Sequence, residues 1–216
     1  MKFLEYVTQN YMYILEKTGE HIYLAGIAVL LACAVGIPVG FMITNNKKVA
    51  NVVMGVANII QTIPSLALFA FAMSIFGIGA DNAIFALFLY ALLPIIKNTL
   101  IGIRNVNPSI REAARGMGMS RSQIMFKVEI PLAISVIMGG VRIATVTGIG
   151  IATIATLIGA GGLGQLIYQG IGMMDYEMIF AGAICSALLA LLADFLLGLV
   201  EKNLTSRGIV KQDIIK

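Results

Sequence analysis

Charge is what this chain has least of. Only 12% of its 216 residues are Asp, Glu, Lys or Arg, against roughly a quarter in a soluble globular domain. A 59% hydrophobic composition and a mean hydropathy of +0.92 accompany the shortage. The apolar residues come in long uncharged runs, not in the short periodic stripes that one-sided burial leaves. The two cysteines, Cys33 and Cys185, both lie inside such runs, which argues against a disulfide framework or a thiolate cluster. A single histidine, His21, excludes a His-rich zinc site, and its place at the edge of a run reads as interfacial hydrogen bonding. Residues 1–20 contain Glu5, Glu16, Lys17 and Glu20 and lack the basic start and apolar centre of a secretory signal, so none is expected. The methionines read as flexible packing and not as a metal-ligand array, so no metal site is expected.

What is present is a set of runs long enough to cross lipid. Residues 22–44 carry no charge, and a helix of that length spans the ~30 Å hydrocarbon layer. The next uncharged stretch predicts a helix over about 50–75, distorted near Pro64, because proline removes a backbone donor and displaces the preceding carbonyl. Further spans are expected at about 82–101, with Asp81 as a cap and Pro94 inside, at about 131–157, containing Arg142, and at about 178–200, containing Asp194. Runs of this length far exceed the ~10-residue alternating strands of a membrane barrel. The expected class is therefore an all-α polytopic membrane protein with a five-span core.

The net charge of +4 is distributed as membrane orientation requires and not as a nucleic-acid-binding patch, so no nucleic acid is expected as a partner. With five spans, one face collects Lys47, Lys48, Lys97, Arg104, Arg111, Arg115, Arg121, Lys127, Lys202, Arg207, Lys211 and Lys216. The other face has Lys2 and Lys17 among Glu5, Glu16, Glu20, Asp81, Asp175 and Glu177. The excess of Lys and Arg predicts segment 1–21 outside, with loop 102–130 and tail 201–216 in the cytoplasm.

The most informative stretch is 104–131, RNVNPSIREAARGMGMSRSQIMFKVEIP. Asn107 before Pro108 is a helix start, since asparagine caps an open amide and proline loses nothing at the first helical position. Ile110, Ala113, Ala114 and Met117 fall at spacings that share one face, with Arg111 and Arg115 one turn apart. Gly118 ends that helix. Ser120 and Gln123 resemble a capping box, and a second helix offers Ile124 and Val128 before Pro131 opens the fourth span. Two short helices joined at a glycine suit a docking knob, with Glu112 free to tie them together or to accept local bonds. A loop lying amphipathically on lipid headgroups has the same mechanics, and the residues alone leave both open.

The spacing Glu112-Ala113-Ala114, three residues, Gly118, nine residues, Val128-Glu129-Ile130-Pro131 resembles the EAA motif of binding-protein-dependent ABC importer permeases, EAA-x3-G-x9-I-x-L-P, with Val128 and Ile130 as conservative departures. The segments Gln61-Thr62-Ile63-Pro64-Ser65-Leu66 and Ile158-Gly159-Ala160-Gly161-Gly162-Leu163-Gly164 extend the resemblance to the permeases of osmoprotectant importers for glycine betaine, carnitine, choline or proline betaine, with methionine-importer permeases as siblings. The resemblance implies a type I ABC importer transmembrane domain in the bacterial plasma membrane. It implies that 111–126 couples to an ATPase through Arg111, Glu112, Ala113, Ala114, Arg115, Gly118, Met119, Ser120, Gln123 and Ile124, with the motif ending at Val128, Ile130 and Pro131. It further implies paired ATPases, a second permease (identical or homologous) and an extracellular substrate-binding protein, together with membrane lipid and a small osmoprotectant. No G-x4-G-K-[ST] phosphate loop occurs in this chain, so the chain is not expected to be an enzyme or to carry a cofactor. ATP and Mg belong to the partner ATPase.

A translocation path is expected near Gln61, Thr62, Pro64 and Ser65 on span two and Arg142, Thr145 and Thr147 on span four, residues that equally suit helix packing. Arg142 in lipid is costly: it faces a cavity, pairs with Asp194, or reaches an interface. Tyr90 and Phe88 read as interfacial or lipid-facing packing and not as a cation box. The GAGGLG run at 159–164 matches G-x-G-x-x-G but follows a helical span and no strand, so it reads as a tight re-entry and not as a dinucleotide site. Asp175 and Glu177 suit helix capping or contact with a docked binding protein. A gradient-driven transporter or a membrane-embedded enzyme would leave the cytosolic motif unexplained.

Overall fold

The computed structural model describes residues 2–205; Arg207, Lys211 and Lys216 of the expected tail lie outside them. The described chain is helical throughout: α1 (Lys2–Gln9), α2 (Tyr11–Met42), α3 (Lys47–Thr62), α4 (Ser65–Phe76), α5 (Ala80–Arg104), α6 (Pro108–Gly116), α7 (Arg121–Ile124), α8 (Ile130–Ala152), α9 (Gly164–Met173) and α10 (Tyr176–Leu204). Four units, 11–45, 80–104, 121–152 and 176–204, are each long and apolar enough to cross a bilayer, and α3 with α4 makes a fifth if counted as one bent span. This is an all-α, multi-span membrane fold.

α2 begins eleven residues before the uncharged run that announces it. Its extra turns tolerate charge because Lys17 Nζ lies 2.8 Å from Glu20 and 3.2 Å from Glu16, which leaves the buried amine compensated. At the other end Asn46 caps α3 by accepting from the amides of Lys48 and Val49 at 3.0 and 3.2 Å. Asp81 is not the cap of α5; Gly79 holds that place, and Asp81 lies in the exposed first turn, where its charge favours the positive end of the helix dipole.

α5 is the most enclosed of the long helices, packed between α2 and α8. Small residues permit the approach, as helix contacts in lipid require. A Cβ placed on Gly40 of α2 would fall 2.6 Å from Thr99 Cβ, and one on Gly140 of α8 would fall 2.6 Å from Asn98 Cβ. Phe69, Leu87 and Leu24 fill the core between α4, α5 and α2. α10 joins from the side of α8 and leaves Leu188, Leu191 and Phe195 uncovered.

The expected single helix over 50–75 is two helices meeting at 101°. Proline disfavours helical backbone in the residue before it, and Ile63 is extended at φ −68°, ψ 128°. The start of the pair packs on the last third of α5, Ala50 against Ile96 and Leu100, while its end packs on the first turns, Phe69 against Ala83 and Leu87. The two patches lie about 20 Å apart along α5 at 1.5 Å per residue.

Candidate coupling site

The segment between α5 and α8 folds as an elbow whose turns are fixed by local chemistry. Asn107 caps α6 by accepting from the Ser109 amide at 2.9 Å, with Pro108 in the first turn. α6 ends in a paired-bond reversal: the Gly118 amide donates to Arg115 O at 2.9 Å and the Met119 amide to Ala114 O at 3.1 Å, with Gly118 at φ +79°. That left-handed conformation is open to glycine at little cost. The capping box is present as read, Ser120 N–H donating to Gln123 Oε1 at 2.8 Å and Gln123 N–H to Ser120 Oγ at 3.3 Å. α7 is not a separate second helix, however. It has four residues and runs on through a π turn at Met125–Glu129 into α8, so elbow and span form one rod from Arg121 to Ala152.

The expected shared face of Ile110, Ala113, Ala114 and Met117 divides. Ala114, 1% exposed, and Ile124, 6% exposed, close the inside of the elbow, whereas Ile110 and Met117 stand outside at 42% and 75%. Ala114 therefore supports the elbow from within instead of presenting a surface. Ala113, Arg115, Ser120 and Gln123 are exposed and Met119 is half-buried. Glu112 is exposed and does not tie the elbow together. That task falls to Arg111, whose guanidinium donates to Ile103 O at the end of α5 and whose Nε lies 2.7 Å from Glu129 Oε1. The Nε contact is an ion pair without an aligned hydrogen bond. Sequence spacing does not single out Glu129 as the partner of Arg111, although it is the acidic side chain nearest the start of span four. Val128, Ile130 and Pro131 are half-buried at the root of α8.

Arg142 is committed to α10. Its Nε and Nη2 donate to Asp194 Oδ1 and Oδ2, each at 2.8 Å, and its Nη1 to Glu201 Oε2 at 3.0 Å. The hydroxyl of Ser135 donates to the other Glu201 oxygen. Arg142 and Thr147 line a groove of about 520 Å³ between α8 and α10, with Asp194 at its wall. Thr145 turns its hydroxyl back onto Val141 O at 2.8 Å.

Gln61, Thr62, Pro64 and Ser65 are not part of that groove. They lie at the α3–α4 break, held to α5 by two reciprocal bonds. Pro94 has no N–H, which frees the carbonyl of Tyr90 one turn earlier; Gln61 Nε2 donates to it at 3.4 Å. The break in turn frees Ile63 O, and the Tyr90 hydroxyl donates to it. Tyr90 is thus buried and structural, not lipid-facing.

At the end of the bundle opposite the elbow, the glycine run closes onto α2. The Gly162 amide donates to Glu20 Oε2 at 2.8 Å and the Leu163 amide to His21 Nδ1 at 3.2 Å, while His21 Nε2 donates to Ile149 O at 3.0 Å. His21 is fully buried between α2, α8 and the glycine run. Gly161 and Gly162 both have φ +80°, and a Cβ on Gly161 would lie 2.3 Å from the Glu20 carboxylate. The glycines permit a clasp. Asp175 caps α10, accepting from the Met178 amide at 3.0 Å.

Residues 36–206 match the family of binding-protein-dependent transport system inner membrane components. The chain belongs to this family. Among the permease's relatives, the carnitine transport permease protein OpuCB of Listeria monocytogenes is 46% identical over 91% of this chain and 90% of its own. The glycine betaine/carnitine/choline permease OpuCB of Bacillus subtilis is 44% identical over the same shares, and the osmoprotectant import permease OsmW of Salmonella typhimurium is 43% identical over 97% of this chain and all of its own. A structure of the methionine ABC transporter MetNI in an inward-facing conformation superposes with TM-score 0.81 at 25% identity, covering 91% of the permease and 98% of that chain. The permease is a subunit of an ABC importer and not itself the ATP-hydrolysing component.

Proposed function

We propose that the permease moves a quaternary-ammonium osmoprotectant of the glycine betaine, carnitine or choline type into the cell, driven by an ATPase pair that grips the elbow from the cytoplasm. The elbow's construction carries this reading: its interior is closed by its own Ala114 and Ile124, yet Ile110 and Met117 are left outside beside Arg115 and Arg121. A lone soluble loop gains nothing from such a surface, and a protein partner with an apolar cleft does. The cargo reading rests on relatives 43–46% identical along nearly the whole chain, against 25% for the methionine transporter.

The orientation follows from charge. The N-terminus and the glycine clasp are outside, and 102–130 and 201–216 are inside with the basic residues. Five crossings satisfy that arrangement, the α3–α4 pair counting as one because its two ends pack on opposite ends of α5. The binding protein delivers solute at the clasp face to a pair of permeases, identical or homologous. Cysteine labelling at the exposed Ala113 in intact cells tests the orientation; modification by a membrane-impermeant reagent would sink it. Cargo is tested by proteoliposomes holding the permease with its ATPase and binding protein: uptake of labelled glycine betaine, carnitine or choline is expected, and uptake of methionine alone overturns the assignment.

A further inference from the structure

The elbow is continuous with α5 and α8 and is tied back to α5 by Arg111; among the described residues no side-chain hydrogen bond or ion pair joins it to α10. Among the described residues, every side-chain hydrogen bond between α10 and another membrane-crossing helix belongs to one cluster: Ser135 and Arg142 on α8, Asp194 and Glu201 on α10. The two members on each helix are seven residues apart, which is two turns and hence one face. Because α8 and α10 run antiparallel, the four form a two-rung ladder. Ser135 meets Glu201 near the elbow end, and Arg142 bridges Glu201 and Asp194 one rung further into the bundle. All four carboxylate oxygens have donors.

Apolar helix contacts in lipid gain no hydrophobic driving force and slide at little cost. A bidentate guanidinium pair fixes both distance and orientation. The ladder therefore sets the register of α10 against α8. Beyond it, α10 is keyed to the clasp by close packing: a Cβ on Gly170 of α9 would fall 2.7 Å from Ile179, and one on Gly182 of α10 would fall 2.9 Å from Leu166. α8 itself leads through 153–158 into the glycine run; beside it a second path runs from the elbow through α8, the ladder and α10 to α9 at the opposite end of the bundle.

We propose that Ser135, Arg142, Asp194 and Glu201 are positioning residues for transport, a ladder that makes α10, with α9 packed on it, follow α8 in the elbow's stroke. The inference rests on the elbow being the ATPase docking site, and the two are separable by experiment. In proteoliposomes containing the whole transporter, Glu201→Gln and Ser135→Ala are compared with Gly118→Arg. The ladder variants are expected to co-purify with the ATPase and keep its basal hydrolysis, while solute moved per ATP falls about tenfold for Glu201→Gln and about threefold for Ser135→Ala. A purely structural role would lower assembled yield and leave solute per ATP at the wild-type ratio, and that result overturns the proposal. Should Glu201→Gln fail to assemble, Ser135→Ala, which removes one hydroxyl, decides the matter by the same ratio. Gly118→Arg is expected to lose the ATPase altogether; wild-type co-purification and uptake in that variant would defeat the docking reading itself, whatever the ladder variants do.

Discussion

Glycine has opposite duties at the two ends of the permease. At the clasp end, Gly161 and Gly164 face other atoms at separations no Cβ tolerates, 2.3 Å from the Glu20 carboxylate and 1.9 Å from Thr153 O, and a Cβ on Gly162 would press on His21 at 3.0 Å. At the elbow, Gly116 and Gly118 face open space, with nothing within 4 Å. The clasp takes its shape from the chain's own contacts. The elbow takes its shape from two turns and one arginine, and its outer surface, Ile110 and Met117 included, is exposed.

The sharpest way to break that contrast is Gly164→Ala. The new methyl meets a backbone carbonyl that has nowhere to go, and destabilisation of about 3 kcal/mol or more is expected, read as a lowered unfolding temperature in detergent and lost assembled protein. Arg142→Leu comes next: it strips Asp194 and Glu201 of their cation inside the span, and uptake and assembly are expected to fall well below those of Lys211→Leu, which changes a charge in the C-terminal tail. Equal uptake and insertion of the two variants would remove the case for Arg142. His21→Ala, which leaves the Leu163 amide and the Ile149 carbonyl without partners, is expected to cost about 2–3 kcal/mol in the same unfolding assay. Smallest are the elbow glycines. Gly118→Ala strains a left-handed residue by about 1 kcal/mol, whereas Gly116→Ala, inside α6, leaves stability unchanged or raises it slightly. If Gly116→Ala proved as damaging as Gly164→Ala, the two ends would not differ as described.

Much of this was written in local sequence. Uncharged runs announce the spans, and Asn107-Pro108, Gly118 and the Ser120/Gln123 box announce the elbow, because caps and turns depend on neighbours within a few residues. What local sequence cannot announce is distant partnership. Pro64 signals a break, but its 101° angle is held by Tyr90 and Gln61, 29 residues apart. Nothing near His21 announces that Leu163, 142 positions away, donates to it. Ala114 looks like surface until Ile124 folds back beside it. The same holds for Gln61 and Arg142, polar groups in apolar runs that each hold a specific partner on another helix.

The π turn at Met125–Glu129 lodges one extra residue in the rod that joins elbow to span. One residue corresponds to about 100° of rotation about a helix axis. Wound as plain α-helix, the same rod would turn α7 roughly a quarter-circle away from its present bearing. The bearing of the elbow is thus set jointly by a five-residue irregularity and by Arg111, which pins α6 to the end of α5 and to the π turn itself.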